Sequence, residues 1–137
     1  MTATCREACC SVTPQRTVSE LFERGFRRNR AQPMAVAGPV CTGAGGNSAK
    51  FTIDVSGGRL AGIGFCASSC ATLIAYCELI AEMMPNARIE IAGALTAGEL
   101  VTALPGVPPL KQNRAVLAIA AFRAALAAAH IDNPRGS

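Results

Sequence analysis

The sequence predicts an α+β domain in which a three-stranded antiparallel sheet is covered on one face by helices. Three observations predict this fold. Apolar and polar residues alternate from Phe51 to Val55, which is the period of a half-buried strand. Ser56-Gly57-Gly58 then offers residues that tolerate positive φ, as a hairpin turn requires. After the returning strand, apolar residues recur at helical spacing, which predicts a helix that packs on the hairpin.

The composition excludes several classes of function. The chain has 137 residues, enough for one domain with a substantial core, and a net charge of +4. This small basic surplus, with no tryptophan and one tyrosine, argues against nucleic-acid binding. The longest apolar run is rich in alanine and interrupted by Arg123, which argues against a membrane span. Because the first residues lack the apolar core of a signal peptide, we expect a cytoplasmic protein.

The first half of the chain is expected to contain one helix and the three strands of the sheet. Thr17-Val18-Ser19-Glu20 has the pattern of a capping box, so we expect a helix to about residue 28. Its inner face should carry Leu21, Phe22 and Phe26. The three strands are expected over residues 34–40, 50–55 and 59–65.

Helices are expected in the second part. The first spans residues 66–84 and ends at Pro85, and a second capping box at Thr96-Ala97-Gly98-Glu99 opens a short helix through Leu104. Residues 104–110 should form an extended, exposed connector, and the last helix should span 111–130. The expected core includes five large side chains of the two long helices: Leu73, Ile74, Ile80, Leu117 and Phe122. We expect a mobile segment over 1–16, the domain over 17–131 and a tail over 132–137.

The seven cysteines are the first candidates for chemistry. In a chain with no export signal, they are more consistent with thiols, ligands or buried residues than with a disulfide framework. Cys5, Cys9 and Cys10 have no partner pair at zinc-finger spacing, and their role stays open. The single histidine, His130, is expected to favour the dipole at the end of the last helix.

Cys66 is the leading candidate among them. We expect it where a strand ends and a helix begins, because free backbone N–H groups favour a thiolate there. Cys41 precedes a glycine-rich loop, and the hairpin should return the chain to the same sheet edge, so we expect Cys41 and Cys66 to form one site. Cys70 lies one helical turn beyond Cys66 and is a further candidate ligand, whereas Cys77 is expected to be buried. Alkylation should therefore be faster at Cys66 and Cys41 than at Cys70 and Cys77.

The order of these elements resembles that of the U-type iron–sulfur cluster scaffolds, the NifU N-terminal or IscU-like family. The resemblance covers about residues 18–129. Val18-Ser19-Glu20-Leu21-Phe22 and Asn29-Arg30 are similar to the first helix of the family and its exit. Cys41 matches the first cysteine of the family, and Gly64-Phe65-Cys66-Ala67-Ser68 matches the second.

The resemblance implies an assembly scaffold that is not an enzyme. A cysteine desulfurase would deliver sulfur, iron would join, and a labile 2Fe–2S cluster would pass to acceptor apoproteins. Cys41 and Cys66 would bind the cluster, or an iron or zinc ion, and Cys70 or a second subunit would complete the ligand set. Pro108, Pro109, Leu110 and Lys111 resemble the segment that docks an Hsp70-type chaperone in some members.

Two features of the sequence depart from the family pattern. Asn113 and Arg114 occupy the place of the third cysteine, and a guanidinium has no lone pair to offer a metal. Gly43 replaces an aspartate, inside a longer loop. Three functions therefore stay open: a cluster scaffold, a protein that accepts a persulfide on Cys66 or Cys41, and a binding partner of the assembly machinery without thiol chemistry.

Overall fold

The computed structural model describes residues 17–29 and 34–132. Cys5, Cys9, Cys10 and the predicted terminal segments lie outside the described residues, apart from Asp132, and the side chain of His130 lies outside them too. The predicted domain boundaries stay a prediction.

The described residues form one helix, then the four strands of a sheet, and then four further helices. In chain order they are α1 (Val18–Arg28), β1 (Val36–Ala37), β2 (Cys41–Thr42), β3 (Ser48–Ser56), β4 (Arg59–Ala67), α2 (Ala71–Met83), α3 (Ile89–Gly93), α4 (Ala97–Ala103) and α5 (Asn113–Asp132). Single 3-10 turns at Ala44–Gly46 and Pro109–Lys111 precede β3 and α5.

The sheet is antiparallel, with β3 in its centre. β4 pairs with one side of β3, and β1 and β2 both pair with the other side. The described residues thus form four strands where three were expected. The predicted first strand is divided because Pro39, which lies between β1 and β2, has no N–H to donate to a ladder.

The hairpin between β3 and β4 confirms the prediction for this region. Gly57 and Gly58 both have positive φ, 60° and 78°, as a two-residue turn of this kind requires. The strands are longer than expected, because pairing continues as far as Ala49 opposite Ala67.

The helix predicted to begin at Cys66 begins later. β4 runs through Cys66 to Ala67, and α2 starts at Ala71 with Cys70 as its N-cap residue. The prediction was wrong because Ser68 continues the ladder with a hydrogen bond from its N–H to the carbonyl oxygen of Ser48, 2.9 Å long.

Helix α1 has the predicted capping box, with the Glu20 N–H donating to the Thr17 hydroxyl at 3.1 Å. Its inner face differs from the prediction, since Phe26 is 64% exposed. Gly25 is buried in its place, and a Cβ added there would lie 2.7 Å from Cγ2 of Ile74. The two helices therefore approach too closely for a larger residue.

The core lies between the sheet and helices α2 and α5. The ring of Phe122 on α5 packs edge-on against that of Phe51 on β3, with centroids 5.3 Å apart. All five predicted core residues of the long helices are buried, which confirms that set. Buried alanines also let α5 approach the sheet, and a Cβ on Gly38 would lie 2.7 Å from Cα of Ala125.

The connector before α5 is less exposed than expected. Leu104 and Val107 are buried in the core, because each fills space beside the helices, whereas Leu110 is 89% exposed. Within the described residues, no helix is long and apolar enough to cross a lipid bilayer.

Candidate functional site

Cysteines and polar side chains gather at the end of the sheet where β3 begins. Cys41 on β2 lies opposite Ala49, and Ala49 lies opposite Ala67 on β4. Cys66 is the neighbour of Ala67 and lies opposite Lys50. Cys41 and Cys66 therefore flank the first residues of the same central strand, on strands about 10 Å apart.

The side chains of these two cysteines lie on opposite faces. Directly opposed residues of antiparallel strands share a face, so Cys41 lies on the face of Ala49 and Ala67. Cys66 alternates with Ala67 and lies on the other face, where it is exposed. Cys41 is partly buried against the core, so the structure does not bring the two thiols together on one face.

Cys70 occupies the helix start that was expected at Cys66. Burial raises the pKa of its thiol, but the nearby Leu73 and Thr72 N–H groups and the Arg114 guanidinium lower it, and the net shift is downward. The thiol makes no side-chain cap hydrogen bond at this helix start. The free N–H groups of a helix start and a nearby cation both favour a thiolate. Cys70 is thus the described cysteine whose surroundings favour the anion.

Arg114 lies between Cys70 and the loop after Cys41. Its guanidinium lies near enough to Cys70 to lower the pKa of that thiol, and it lines an open groove of about 260 Å³. The other groove residues come from the loop and from α5: Thr42, Gly43, Asn47, Asn113, Val116, Leu117 and Ala120. The position that should carry a third cysteine therefore does lie at this end of the sheet.

The loop between β2 and β3 is tied to the segment after Cys66. The Ser68 hydroxyl donates to Oδ1 of Asn47 at 3.2 Å and accepts a hydrogen bond from the Ser48 N–H at 3.0 Å. Gly45 and Gly46 both have φ of 77°, so this turn requires glycine at both positions. The loop that follows Cys41 is thus held in place beside β4.

The side chain of Asn29 is hydrogen-bonded to Ala67, the last residue of β4. Its side-chain amide donates to the Ala67 carbonyl oxygen at 3.0 Å and accepts from the Ala67 N–H at 2.6 Å. Residue-by-residue reasoning missed this role, and only the resemblance at Asn29-Arg30 pointed to the residue. The available signal was an asparagine directly after a capped helix, where the chain must turn toward the sheet.

The remaining described candidates lie apart from this cluster. Cys77 is fully buried, as expected, and burial raises the pKa of its thiol above the range where it ionises in water. Pro108, Pro109, Leu110 and Lys111 are all exposed at the entry to α5. The described residues contain no group of three or more His, Cys, Asp or Glu side chains able to hold a metal.

A family model and a curated protein both match the sequence of this chain. The family model of the NifU-like N terminal domain matches residues 18–133. A bifunctional protein NifU/MnmA from Rubrobacter xylanophilus is 35% identical over 97 residues, which are 66% of this chain and 20% of that protein. The chain thus spans about a fifth of the length of this curated relative.

A solved structure supports the fold. A candidate iron–sulfur cluster assembly scaffold protein for the SUF system, from Fervidobacterium islandicum, superposes with a TM-score of 0.59. The match covers 78% of this chain and 94% of the other, at 11% identity, so it bears on the fold alone. Because the family model covers most of the chain, this protein belongs to the NifU-like N-terminal domain family, as its resemblance to the U-type iron–sulfur cluster scaffolds predicted.

Proposed function

We propose that this protein is a scaffold, not an enzyme, that carries a labile 2Fe–2S cluster or its iron during cluster assembly. The observation that carries the proposal is the gathering of Cys41, Cys66 and Cys70 at one end of the sheet in a NifU-type domain. Thiolates are the soft ligands that iron–sulfur clusters and zinc select.

Cys41 and Cys66 are the proposed ligands. The two thiols lie on opposite faces of the sheet, so both can bind one cluster only if the end of β4 twists and brings them to one face. Otherwise, further ligands must come from a second subunit. Either requirement weakens binding, since tetrahedral iron or zinc needs four ligands. The cluster is cargo here, and weak binding suits a protein that must release it to acceptor apoproteins.

The proposed partners follow from the family and from exposure. A cysteine desulfurase would supply sulfur in the cytoplasm. The exposed segment formed by Pro108, Pro109, Leu110 and Lys111 is accessible for an Hsp70-type chaperone.

Anaerobic reconstitution with ferrous iron and inorganic sulfide tests the cluster proposal. We expect visible absorption from a bound cluster in the wild type, and its loss in Cys41→Ser and in Cys66→Ser. Cys77→Ala is the matched control, because Cys77 is buried away from the site. The proposal fails if the wild type binds no iron, or if all variants bind it equally.

Arg114→Cys should raise cluster occupancy or lifetime in the same experiment. The substitution adds a thiolate beside Cys70 and the loop that follows Cys41, where Arg114 now lies. Ala120→Cys is the control, because Ala120 lines the same groove about 9 Å further along α5. Equal spectra for the two variants would mean that the start of α5 cannot supply a ligand.

A further inference from the structure

We propose that the open groove between the β2–β3 loop and the start of α5 binds a small organic carboxylate on a short apolar stem. Arg114 is the cation that holds the carboxylate. This site goes beyond the proposed function, because none of the proposed cluster ligands lines the groove.

Arg114 brings an uncompensated positive charge to the groove, whose other lining residues are all uncharged. Its Nη1 donates to Oδ1 of Asn113 at 2.8 Å, and its Nε is buried without a hydrogen-bond partner among the described residues. No carboxylate of the described residues forms an ion pair with Arg114. A guanidinium has five N–H donors, so this side chain retains donors for a carboxylate from outside the protein.

The walls of the groove combine polar and apolar groups. Besides the guanidinium, the polar lining consists of one hydroxyl and two side-chain amides: Thr42, Asn47 and Asn113. The apolar lining comes from α5: Val116, Leu117 and Ala120. Cys70, whose thiol lies near the guanidinium, is not among the lining residues. Such walls suit a ligand with a charged head and an apolar stem, because each part then finds a matching surface.

The charge and the size of the groove define the class of ligand. One guanidinium matches one carboxylate, whereas a phosphate dianion would bring a second negative charge without a cation to pair with it. A groove of about 260 Å³ holds roughly six to nine non-hydrogen atoms, since a water molecule occupies about 30 Å³ of liquid. A Cβ on Gly43 would lie 3.3 Å from Cδ2 of Leu117, so the glycine keeps the loop side of the groove free.

The first test is a titration of the isotope-labelled protein with butyrate, followed by heteronuclear NMR at constant ionic strength. We expect saturable shifts of the amide signals of the loop and of the first two turns of α5, with a dissociation constant on the order of millimolar. Butanol, which has the same stem without the charge, and inorganic phosphate should bind more weakly. Equal affinity for either of them, or shifts spread over the whole surface, would overturn the proposal.

The second test removes the cation. Arg114→Gln should lower the affinity for butyrate roughly tenfold or more, because a charge-assisted hydrogen bond contributes more than a neutral one. Arg114→Lys should retain part of the affinity. Arg123→Gln is the matched control and should bind as the wild type does, because this other guanidinium of α5 donates to the Leu95 carbonyl oxygen. Unchanged binding in Arg114→Gln would overturn the role of Arg114.

The third test fills the groove and leaves the cation in place. Ala120→Leu puts a larger side chain on the apolar wall and should weaken butyrate binding. Ala127→Leu is the matched control, because Ala127 is also exposed on α5 but does not line the groove. Both variants should fold, since neither alanine is buried. Equal affinity of the two variants for butyrate would place the ligand elsewhere and overturn the proposal.

Discussion

Asn29 shows how one side chain can replace a short piece of strand. Its amide makes both hydrogen bonds that a neighbouring strand would make to Ala67, at 3.0 and 2.6 Å. Ala67 directly follows Cys66, so the residue that ends α1 also fixes the strand that carries a proposed ligand.

We predict that Asn29→Ala lowers the free energy of unfolding by roughly 1–3 kcal/mol, because it leaves two partly buried backbone groups unpaired. Urea denaturation measures the change. Arg27→Ala, an exposed substitution two positions away, is the control and should have little effect. Equal losses in the two variants would mean that the amide contacts add no stability.

The helix pair α1 and α2 is held by close packing and by two ion pairs. Gly25 allows the approach, Arg24 pairs with Glu82 at 2.7 Å, and Arg28 pairs with Glu78 at 2.6 Å. Since Arg28 precedes Asn29, this packing also determines where the support for β4 lies.

We predict that Gly25→Ala destabilises the protein by roughly 1–3 kcal/mol, because its Cβ would overlap Ile74. Gly98→Ala in α4 is a matched control with free space around its Cβ, and it should stabilise by up to about 1 kcal/mol. Thermal or urea unfolding of both variants measures the difference. A gain at Gly25 similar to that at Gly98 would show that the helices can separate without cost.

The Glu78 carboxyl makes the same helix pair sensitive to pH. Burial raises the pKa of Glu78 to about 7, the nearby Glu82 adds to the rise, and Arg28 opposes it. The ordinary pKa is 4.5, so between about pH 4.5 and 7 the folded state binds more protons than the unfolded state. The contribution of Glu78 to stability is therefore present at low pH and is lost as the pH rises to about 7.

Glu78→Gln removes this titration. The unfolding free energy of the wild type minus that of Glu78→Gln should fall as the pH rises from about 4.5 to 7, and it should be level at higher pH. Urea denaturation at a series of pH values gives the difference directly. A constant difference over this window would contradict the raised pKa.

Element boundaries were predictable where the signal is local. Both capping boxes, at Thr17 and Thr96, and the Gly57-Gly58 turn are local patterns, and all three were predicted correctly. The start of α2 was misplaced because β4 is prolonged by contacts with Ser48 and Asn29, which are distant in sequence. Pro39, by contrast, was a visible signal for the divided first strand.

The whole domain depends on α5 lying flat against the sheet. Phe122 is fully buried, and its ring contacts Phe51, which in turn contacts Phe65 on β4. We predict that Phe122→Ala costs on the order of 3–5 kcal/mol in urea denaturation. Val116→Ala is the control, because the side chain of Val116 on the same helix is 59% exposed. A loss below about 1 kcal/mol for Phe122→Ala would contradict this packing.

The candidate site was less predictable than the fold for a physical reason. The hairpin topology suggests that Cys41 and Cys66 lie near the same end of the sheet, but the face of each side chain depends on the register. A shift of one residue reverses the face, and register arises from pairings across the whole sheet. The proximity of Cys70 and Arg114 involves residues 44 positions apart, and no local sequence pattern predicts it.

The divided first strand has a consequence for how this protein behaves in a crowded solution. An uninterrupted outer strand offers a row of free N–H and C=O groups on which another molecule can add a strand, the first step toward aggregation. Pro39 removes a donor from one border of the sheet. At the opposite border, the Asn29 side chain makes hydrogen bonds to the N–H and the carbonyl oxygen of Ala67. The backbone groups of Asn86 and Ala87 do the same for Leu60. Both borders of the sheet are thus interrupted at positions where another molecule would have to pair in order to add a strand.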